Sequence, residues 1–127
     1  MNALVRTTEG VYIVDLETEE VTAGLEDFES PSVHVQLPRV VAAAACGSTV
    51  VAVVDRRPPL AISNDAGATW REAGGGLPPG FAIAIHDDDP DTMLFAARNR
   101  LYVSTNGGIF WRALTLELPD IEAVVFA

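Results

Sequence analysis

Arginine is the residue whose placement in this sequence most strongly suggests chemistry. The chain has 127 residues, its eight basic side chains are all arginine, and five of these fall in three short polar segments. A guanidinium group is planar and can donate two parallel hydrogen bonds to a carboxylate, sulfate or phosphate. The pattern therefore predicts a site for an anionic ligand. Its candidate residues are Arg6, Glu9, Asp55, Arg56, Arg57, Arg98 and Arg100.

The same arginines have a simpler interpretation, in which they pair with neighbouring carboxylates or are solvated. The chain carries 18 acidic against 8 basic residues, a net charge of −10, so acidic partners are abundant. A surface ion pair of this kind contributes only about 0–1 kcal/mol to stability. The negative charge argues against nucleic acid and an anionic membrane as the main partners, so we expect neither.

Residues for metal or cofactor binding are sparse. His86–Asp91 offers oxygen ligands, but it lacks the glycine and glutamate positions of a calcium loop and predicts an acidic turn. His34 and His86 lie far apart with no Cys or His beside them, which does not suggest zinc. Gly74–Gly76 precedes Leu77-Pro78 and predicts a flexible connection instead of a phosphate loop. We therefore predict no metal and no cofactor.

An internal repeat organises the chain. The dipeptide Leu-Pro begins at residues 37, 77 and 118, at spacings of 40 and 41. Ser63–Trp70 aligns with Ser104–Trp111, again at an offset of 41. Each unit contains apolar or β-branched stretches separated by turn residues, and four short strands in about 40 residues are typical of a β-propeller blade.

The strands predicted for each unit follow a fixed order. First strands are Val40–Cys46, Phe81–Ile85 and Ile121–Phe126; second strands are Thr49–Val54 and Thr92–Ala97; third strands are Leu60–Ser63 and Leu101–Ser104; fourth strands begin near Trp70 and Trp111. Ala42–Ala45 would also suit a helix. The equivalent segments in the other units alternate or are β-branched, so we predict a strand there too.

One unit is divided between the two ends of the chain. Leu4–Arg6 and Val11–Val14 read as second and third strands without a first strand, whereas Ile121–Phe126 is a first strand without followers. The predicted blades are residues 118–127 joined to 1–36, residues 37–76, and residues 77–117. The sequence thus predicts an all-β domain of three four-stranded blades.

Two segments resemble the Asp-box, or bacterial-neuraminidase, repeat of sialidase- and sortilin-like propellers, Ser/Thr-x-Asp-x-Gly-x-Thr-Trp. The first matches throughout, at Ser63, Asp65, Gly67, Thr69 and Trp70. The second keeps Ser104, Gly108 and Trp111 but has Asn106 for Asp and Phe110 for Thr. Val14–Val21, the third equivalent, has lost the signature. The resemblance implies a structural turn between third and fourth strands, away from the face that binds substrate.

Three blades are too few to close a propeller, which needs roughly four to eight. We expect Ile121–Phe126 to pair with Leu4–Arg6 of a second copy, so that two chains form a six-bladed homodimer. The alternatives are a fragment of a longer propeller and pairing with a different half-propeller.

The predicted function is non-catalytic: a binding or scaffold propeller that recognises a protein, a peptide or a glycan on its arginine-bearing face. Because sialidases share the repeat, a glycosidase-like hydrolase using Tyr12, Tyr102, Glu9 or Asp55 is the first alternative. A half-propeller subunit of a hetero-complex is the second.

The single cysteine, Cys46, excludes an intrachain disulfide and is expected to be buried. With no signal peptide and no apolar run long enough to span a bilayer, we expect a cytoplasmic protein.

Overall fold

A computed structural model of the chain describes residues 1–24, 26–31 and 33–127. The strands in these residues are β1 (Asn2–Thr7), β2 (Gly10–Asp15), β3 (Val21–Ala23), β4 (Val40–Cys46), β5 (Thr49–Val54), β6 (Leu60–Ser63), β7 (Arg71–Ala73), β8 (Ala82–His86), β9 (Asp89–Ala96), β10 (Leu101–Ser104), β11 (Arg112–Ala113) and β12 (Ile121–Phe126). The ranges described contain no helix that could cross a membrane.

The strands form three four-stranded antiparallel sheets. Sheet I has the order β12-β1-β2-β3, sheet II the order β4-β5-β6-β7, and sheet III the order β8-β9-β10-β11. The prediction of an all-β chain is confirmed. The alanine-rich Val40–Cys46 is β4, because cross-strand pairing with β5 overrides the helix propensity of its alanines.

Sheet III lies between the other two sheets, since β8 packs against both β4 and β12. Its apolar side chains alternate between two hydrophobic clusters, as the period of two in a strand requires. Those on the sheet II side include Ile83, Ile85, Met93 and Phe95. Those on the sheet I side include Ala82, Ala84, Leu94 and Ala96. Sheet III is therefore buried on both faces, which explains its unbroken apolar runs.

The terminal strand β12 pairs with β1 of the same chain, with Leu4 opposite Val125 and Val5 opposite Val124. The predicted exchange of this strand between two chains is therefore corrected. The connection from β3 to β4, residues 24–39, is about twice as long as those that lead into β8 and β12. It is long enough to return the chain to β4 while β12 completes sheet I, and pairing within a chain avoids the entropy cost of association.

This pairing predicts where an engineered disulfide forms. Leu4→Cys with Val125→Cys, in a Cys46→Ser background, should oxidise within one chain, because directly opposed strand residues bring their Cβ atoms within bridging reach. A non-reducing gel should show one-chain mobility with both thiols lost. Leu4→Cys alone should keep its thiol. A covalent dimer of the double variant would mean that the strands exchange after all.

The predicted acidic turn is shorter in the structure than in the sequence prediction. Asp89–Asp91 belongs to β9, since His86 pairs with Asp89 and only Asp87 and Asp88 remain in the turn. Over the described ranges, no group of three or more His, Cys, Asp or Glu side chains could hold a metal ion. Cys46 is half-buried, with Sγ 3.5 Å from the Asp87 carbonyl oxygen, so it is less buried than expected.

The turn between β6 and β7 is a closed network built on two side chains. The Ser63 hydroxyl donates to Asp65 Oδ1 at 2.7 Å and accepts from the Gly67 amide at 2.8 Å. Asp65 Oδ1 also accepts from the Thr69 amide at 2.8 Å, and Oδ2 accepts from the Thr69 hydroxyl at 2.5 Å. Gly67, with φ of 92°, supplies the left-handed conformation that this turn requires.

The turn between β10 and β11 repeats that network with an amide in place of the carboxylate. Asn106 Oδ1 accepts from the Ser104 hydroxyl and from the Phe110 amide, each at 3.0 Å. The Gly108 amide donates to Ser104 Oγ at 2.9 Å, and Trp111 Nε1 donates to the Gly108 carbonyl oxygen at 3.0 Å. The shared bonds need only an oxygen at this position, which either residue provides.

The ionisation of Asp65 should account for part of the loss of folding stability in acid. Hydrogen bonds from the Thr69 hydroxyl and amide, and from Ser63, lower the pKa of Asp65 from 3.8 to about 2. Its stabilising contribution is therefore complete above about pH 4 and is lost as the pH falls toward and through 2. Acid unfolding followed by circular dichroism should be less steep in this interval for Asp65→Asn. Asp88→Asn, on an exposed turn outside the network, is the charge-matched control; an equal change in both variants would contradict the assignment.

Two arginines that the sequence prediction overlooked link neighbouring sheets. Arg71 Nη2 donates to the Gly107 carbonyl oxygen of sheet III at 2.8 Å, and Arg112 Nη2 donates to the Leu16 carbonyl oxygen of sheet I at 2.9 Å. Both arginines directly follow the tryptophan of a repeat, at the same spacing of 41, which was the available signal. Each arginine therefore links the outer strand of its own sheet, through one hydrogen bond, to a turn of the neighbouring sheet.

Sheet I is fastened to the connection before β12 by a carboxylate. Glu19 Oε1 accepts from the Thr115 amide at 2.6 Å, from the Thr115 hydroxyl at 2.9 Å and from the Leu116 amide at 3.1 Å. The Thr115 hydroxyl bond is the largest of several causes that lower the pKa of Glu19. Sheet I, which is built from both ends of the chain, is therefore joined to the connection before β12 at its β2–β3 turn as well as through β12 itself.

Candidate functional site

All seven candidate binding residues lie at one end of the sheets, called the loop end here. It comprises the loops after β1, β5 and β9 and the connections that lead into β4, β8 and β12. Backbone hydrogen bonds tie loops to connections: Ile121 N donates to Arg98 O at 2.7 Å, and Asp55 N donates to Arg39 O at 2.9 Å. The turns with Asp65 and Asn106 lie at the opposite end, because consecutive antiparallel strands reverse direction.

Arg6 is occupied by the chain itself. Its Nη1 donates to the Phe28 carbonyl oxygen at 2.9 Å and to Asp27 Oδ1 at 3.3 Å, and its Nε lies 3.7 Å from Glu122 Oε1. The guanidinium carbon also lies 5.4 Å from the centroid of the Phe28 ring, a cation–π distance. The Phe28 amide and Arg6 together lower the pKa of Asp27. Arg6 holds the 24–39 connection against sheet I and has little capacity left for a ligand.

Arg98 and Arg100 are also paired. Arg98 Nε lies 3.1 Å from Asp120 Oδ1, and Arg100 Nη2 lies 3.1 Å from Glu117 Oε1. Both carboxylates belong to the connection that leads into β12, so these pairs join a loop to the connection beside it. The pairs are well exposed, and each is worth about 0–1 kcal/mol. For three of the five arginines the simpler interpretation, pairing with acidic neighbours, describes the structure.

Arg57 has different surroundings, because it lines a pocket between sheets II and III. The pocket has a volume of about 360 Å³. Its other lining residues are Pro58, Pro59, Gly76, Leu77, Pro78, Pro79 and Tyr102. Arg56 and Arg57 are both exposed, and neither forms an ion pair within the described ranges. The pocket therefore combines an available guanidinium with an apolar wall.

Sequence reasoning missed the prolines that form this wall and named Tyr102 only as a candidate catalytic residue. Pro58 and Pro59 belong to the same loop as Arg57, Pro78 and Pro79 to the next connection, and Tyr102 to β10 of sheet III. Tyr102 is half-buried and is fixed from behind by the Phe95 ring, at a centroid separation of 5.8 Å. The signal in the sequence was the two Pro-Pro pairs, one directly after Arg57 and the other in the connection that leads into β8.

The candidate catalytic residues are spread over the three sheets. Glu9 lies on the β1–β2 loop of sheet I, and Asp55 begins the β5–β6 loop of sheet II. Tyr12 is on β2, whereas Tyr102 is on β10. Of these four residues, Tyr102 alone lines the pocket with Arg57.

A second cavity lies along the inner strands β4, β8 and β12, with a volume of about 580 Å³. Glu29, Ser30, Pro31 and Val33 of the 24–39 connection also line it. Its charged lining residues are acidic, namely Glu29, Asp87 and Glu122. The inner cavity is therefore acidic, and three of the five arginines predicted to bind an anion are each paired with a carboxylate outside it.

Comparison with known proteins bears on the fold alone. No protein-family model matches the sequence, and no curated protein does. Among solved structures, the chain is similar to a GH74 enzyme from Niastella koreensis, with a TM-score of 0.54 and 22% sequence identity. The match covers 94% of this chain and 18% of the enzyme, so the chain spans less than a fifth of that protein's length. The similarity supports propeller-type blades for the three sheets.

Proposed function

We propose that this chain is a non-catalytic binding module of the propeller type, and that its ligand is a carboxylate-bearing oligosaccharide. The proposed site is the pocket between sheets II and III, with Arg57 as the carboxylate-binding residue. The observation that carries the proposal is the juxtaposition of the Arg57 guanidinium with Tyr102 and four prolines in one pocket of about 360 Å³.

The chemistry of the pocket supports this ligand class. A guanidinium can donate two parallel hydrogen bonds to one carboxylate, which fixes the orientation of the ligand. The Tyr102 ring and the proline rings offer the apolar surface against which the C–H face of a pyranose can pack, and the tyrosine hydroxyl offers a polar group beside it. A small pocket with a few convergent polar groups on a mostly apolar wall is typical of small-molecule sites.

Recognition without catalysis is favoured by the distribution of the carboxylates. Glycoside hydrolysis usually needs two carboxyl groups that flank the scissile bond. The lining of the proposed pocket contains no Asp or Glu. The similarity to a glycoside hydrolase is compatible with a sugar ligand, but it does not favour the hydrolase alternative over binding.

The test is a calorimetric titration of the purified chain with tetragalacturonate, with cellotetraose as the uncharged probe and a glutamate-rich peptide as the acidic non-sugar probe. We expect binding of the tetragalacturonate alone. Arg57→Gln should weaken it at least about tenfold, because a hydrogen-bonded charged group contributes about 1.5–3 kcal/mol.

Arg56→Gln is the matched control, since Arg56 is the exposed neighbour of Arg57 in the same loop and does not line the pocket. It should leave the affinity for tetragalacturonate unchanged in protein that circular dichroism shows to be folded. Equal binding of cellotetraose, or no binding of any probe, would overturn the proposal. Tighter binding of the peptide would replace the sugar by an acidic peptide as the ligand.

A further inference from the structure

Sheet III has a neighbouring sheet on each of its two faces. Both of its faces are apolar, and both are buried against a neighbouring sheet. At the interface with sheet II, small side chains on β4 oppose large ones on β8: Ala42 and Ala44 pack into the cluster of Ile83 and Ile85. Sheets I and II each have only one such flank, which leaves each with an outward face.

The outward face of sheet I carries large apolar side chains that are only half-buried. Leu4 is directly opposite both Val125 and Ile13, so these three side chains share one face of the sheet. All three are half-buried, whereas Val5 and Val14 on the face toward sheet III are fully buried. The 24–39 connection reaches one edge of this face, with Gly24 beside Val11.

The outward face of sheet II is made of small side chains. Along its inner strand, Val41 is 49% exposed, Ala43 is half-buried and Ala45 is exposed. Val50, which pairs with Ala45, is half-buried. The middle of the face, at Ala52 and Ala61, is already buried. The open part is therefore the edge nearest the inner strands.

We infer that a second copy of this chain covers both faces, with the outward face of sheet I packed on the outward face of sheet II of its partner. The contact continues the pattern of the II–III interface, in which alanines of sheet II receive larger aliphatic side chains. Val125 lies on the inner strand β12 and would meet the alanines of β4 as Ile83 and Ile85 of β8 do on the other face of sheet II. Leu4 and Ile13 lie on the next strands outward, β1 and β2, and would extend the contact toward β5. Leu4, Ile13 and Val125 are uncharged. Arg6, which lies on the same face of sheet I, is already paired with Asp27 and Glu122 of its own chain.

With twofold symmetry, the same contact forms twice and closes the ring of sheets. Each copy offers one sheet I face and one sheet II face, so two copies form two identical junctions and leave neither face open. Six sheets lie within the range of blades that closes a propeller. The cavity along β4, β8 and β12 would then form half of a central channel, which the partner's inner strands complete. β12 stays paired with β1 of its own chain, so this dimer needs no exchange of strands.

Light scattering coupled to size exclusion tests the inference, and it is independent of any ligand. We expect the unaltered chain to have twice its mass of 13.5 kDa at micromolar concentration. Ile13→Glu and Val41→Glu, one on each face, should each return the mass to that of a single chain. Val41→Glu is the safer of the two for folding, because the side chain that it replaces is already 49% exposed.

Phe110→Glu is the matched control, since Phe110 is 71% exposed on the β10–β11 turn, away from both faces. It should keep the mass of two chains. A single-chain mass for the unaltered protein at all micromolar concentrations would overturn the inference, and so would a dimer that withstands both face variants. A dimer lost only in Phe110→Glu would assign the contact to the turn and overturn it as well.

Discussion

Phe95→Ala should lower the free energy of unfolding by about 3–5 kcal/mol, the usual cost of removing a buried phenylalanine side chain. Phe95 is fully buried in sheet III at the centre of the cluster shared with sheet II. Its ring meets Tyr102 and Trp111 edge-on, at centroid separations of 5.8 and 6.0 Å. Alanine at this position would leave both aromatic side chains without support and a cavity between two sheets.

Denaturant unfolding followed by tryptophan fluorescence measures this loss, because Trp111 itself contacts Phe95. Phe110→Ala removes an equal volume from a side chain that is 71% exposed, so it should change stability by no more than about 0.5 kcal/mol. Equal losses for the two variants would show that Phe95 does not hold sheets II and III together. Since Tyr102 rests on Phe95, a folded Phe95→Leu variant should also bind tetragalacturonate more weakly.

Gly80→Ala should cost about 1–3 kcal/mol or more, as overpacking of a closed core does. Gly80 is buried in the connection from sheet II to sheet III, and a Cβ atom there would overlap the Phe95 ring and lie 3.0 Å from Val53 Cγ1. The ring has no room to move, because Tyr102 and Trp111 pack against it. The connection must therefore pass close to the core with no side chain.

Gly75→Ala in the same connection is the control for Gly80→Ala. A Cβ atom at Gly75 would meet no atom within 4 Å, so unfolding by denaturant should show a change of no more than about 0.5 kcal/mol. Gly80→Ala should also cost less in a Phe95→Leu background, since the two positions are in contact and their effects are not additive. A cost that is the same in both backgrounds would contradict the overlap with Phe95.

The candidate site shows the limits of reading side chains from the sequence. The sequence located five arginines in three polar segments, and all three segments lie at the loop end, with Arg6 near the end of β1 and the other four in loops. It could not show which guanidinium groups are occupied, because the partners are distant along the chain: Asp27 and Glu122 for Arg6, and Asp120 for Arg98. An ion pair depends on a separation of a few ångströms, which the spacing of residues does not fix.

The elements themselves were largely predictable. The bounds of β4, β5, β6, β10 and β12 agree with the predicted strands, because alternating or β-branched residues and flanking turns act locally. The start of β9 was missed, since Pro90 and the four aspartates around it favour a turn locally while cross-strand pairing with β8 extends the strand to Asp89. Local propensity is overridden where a neighbouring strand supplies hydrogen bonds.

By itself, the sequence determined the repeat, its all-β character and the division of one sheet between the two ends of the chain. These follow from the identities of residues and from periods of two and of about 40, which are properties of the chain in one dimension. Only the tertiary structure decided that β12 closes sheet I within its own chain, that three arginines are paired, and that Arg57 shares a pocket with Tyr102. Each of these depends on which distant segments meet in space, and that is set by the packing of whole sheets.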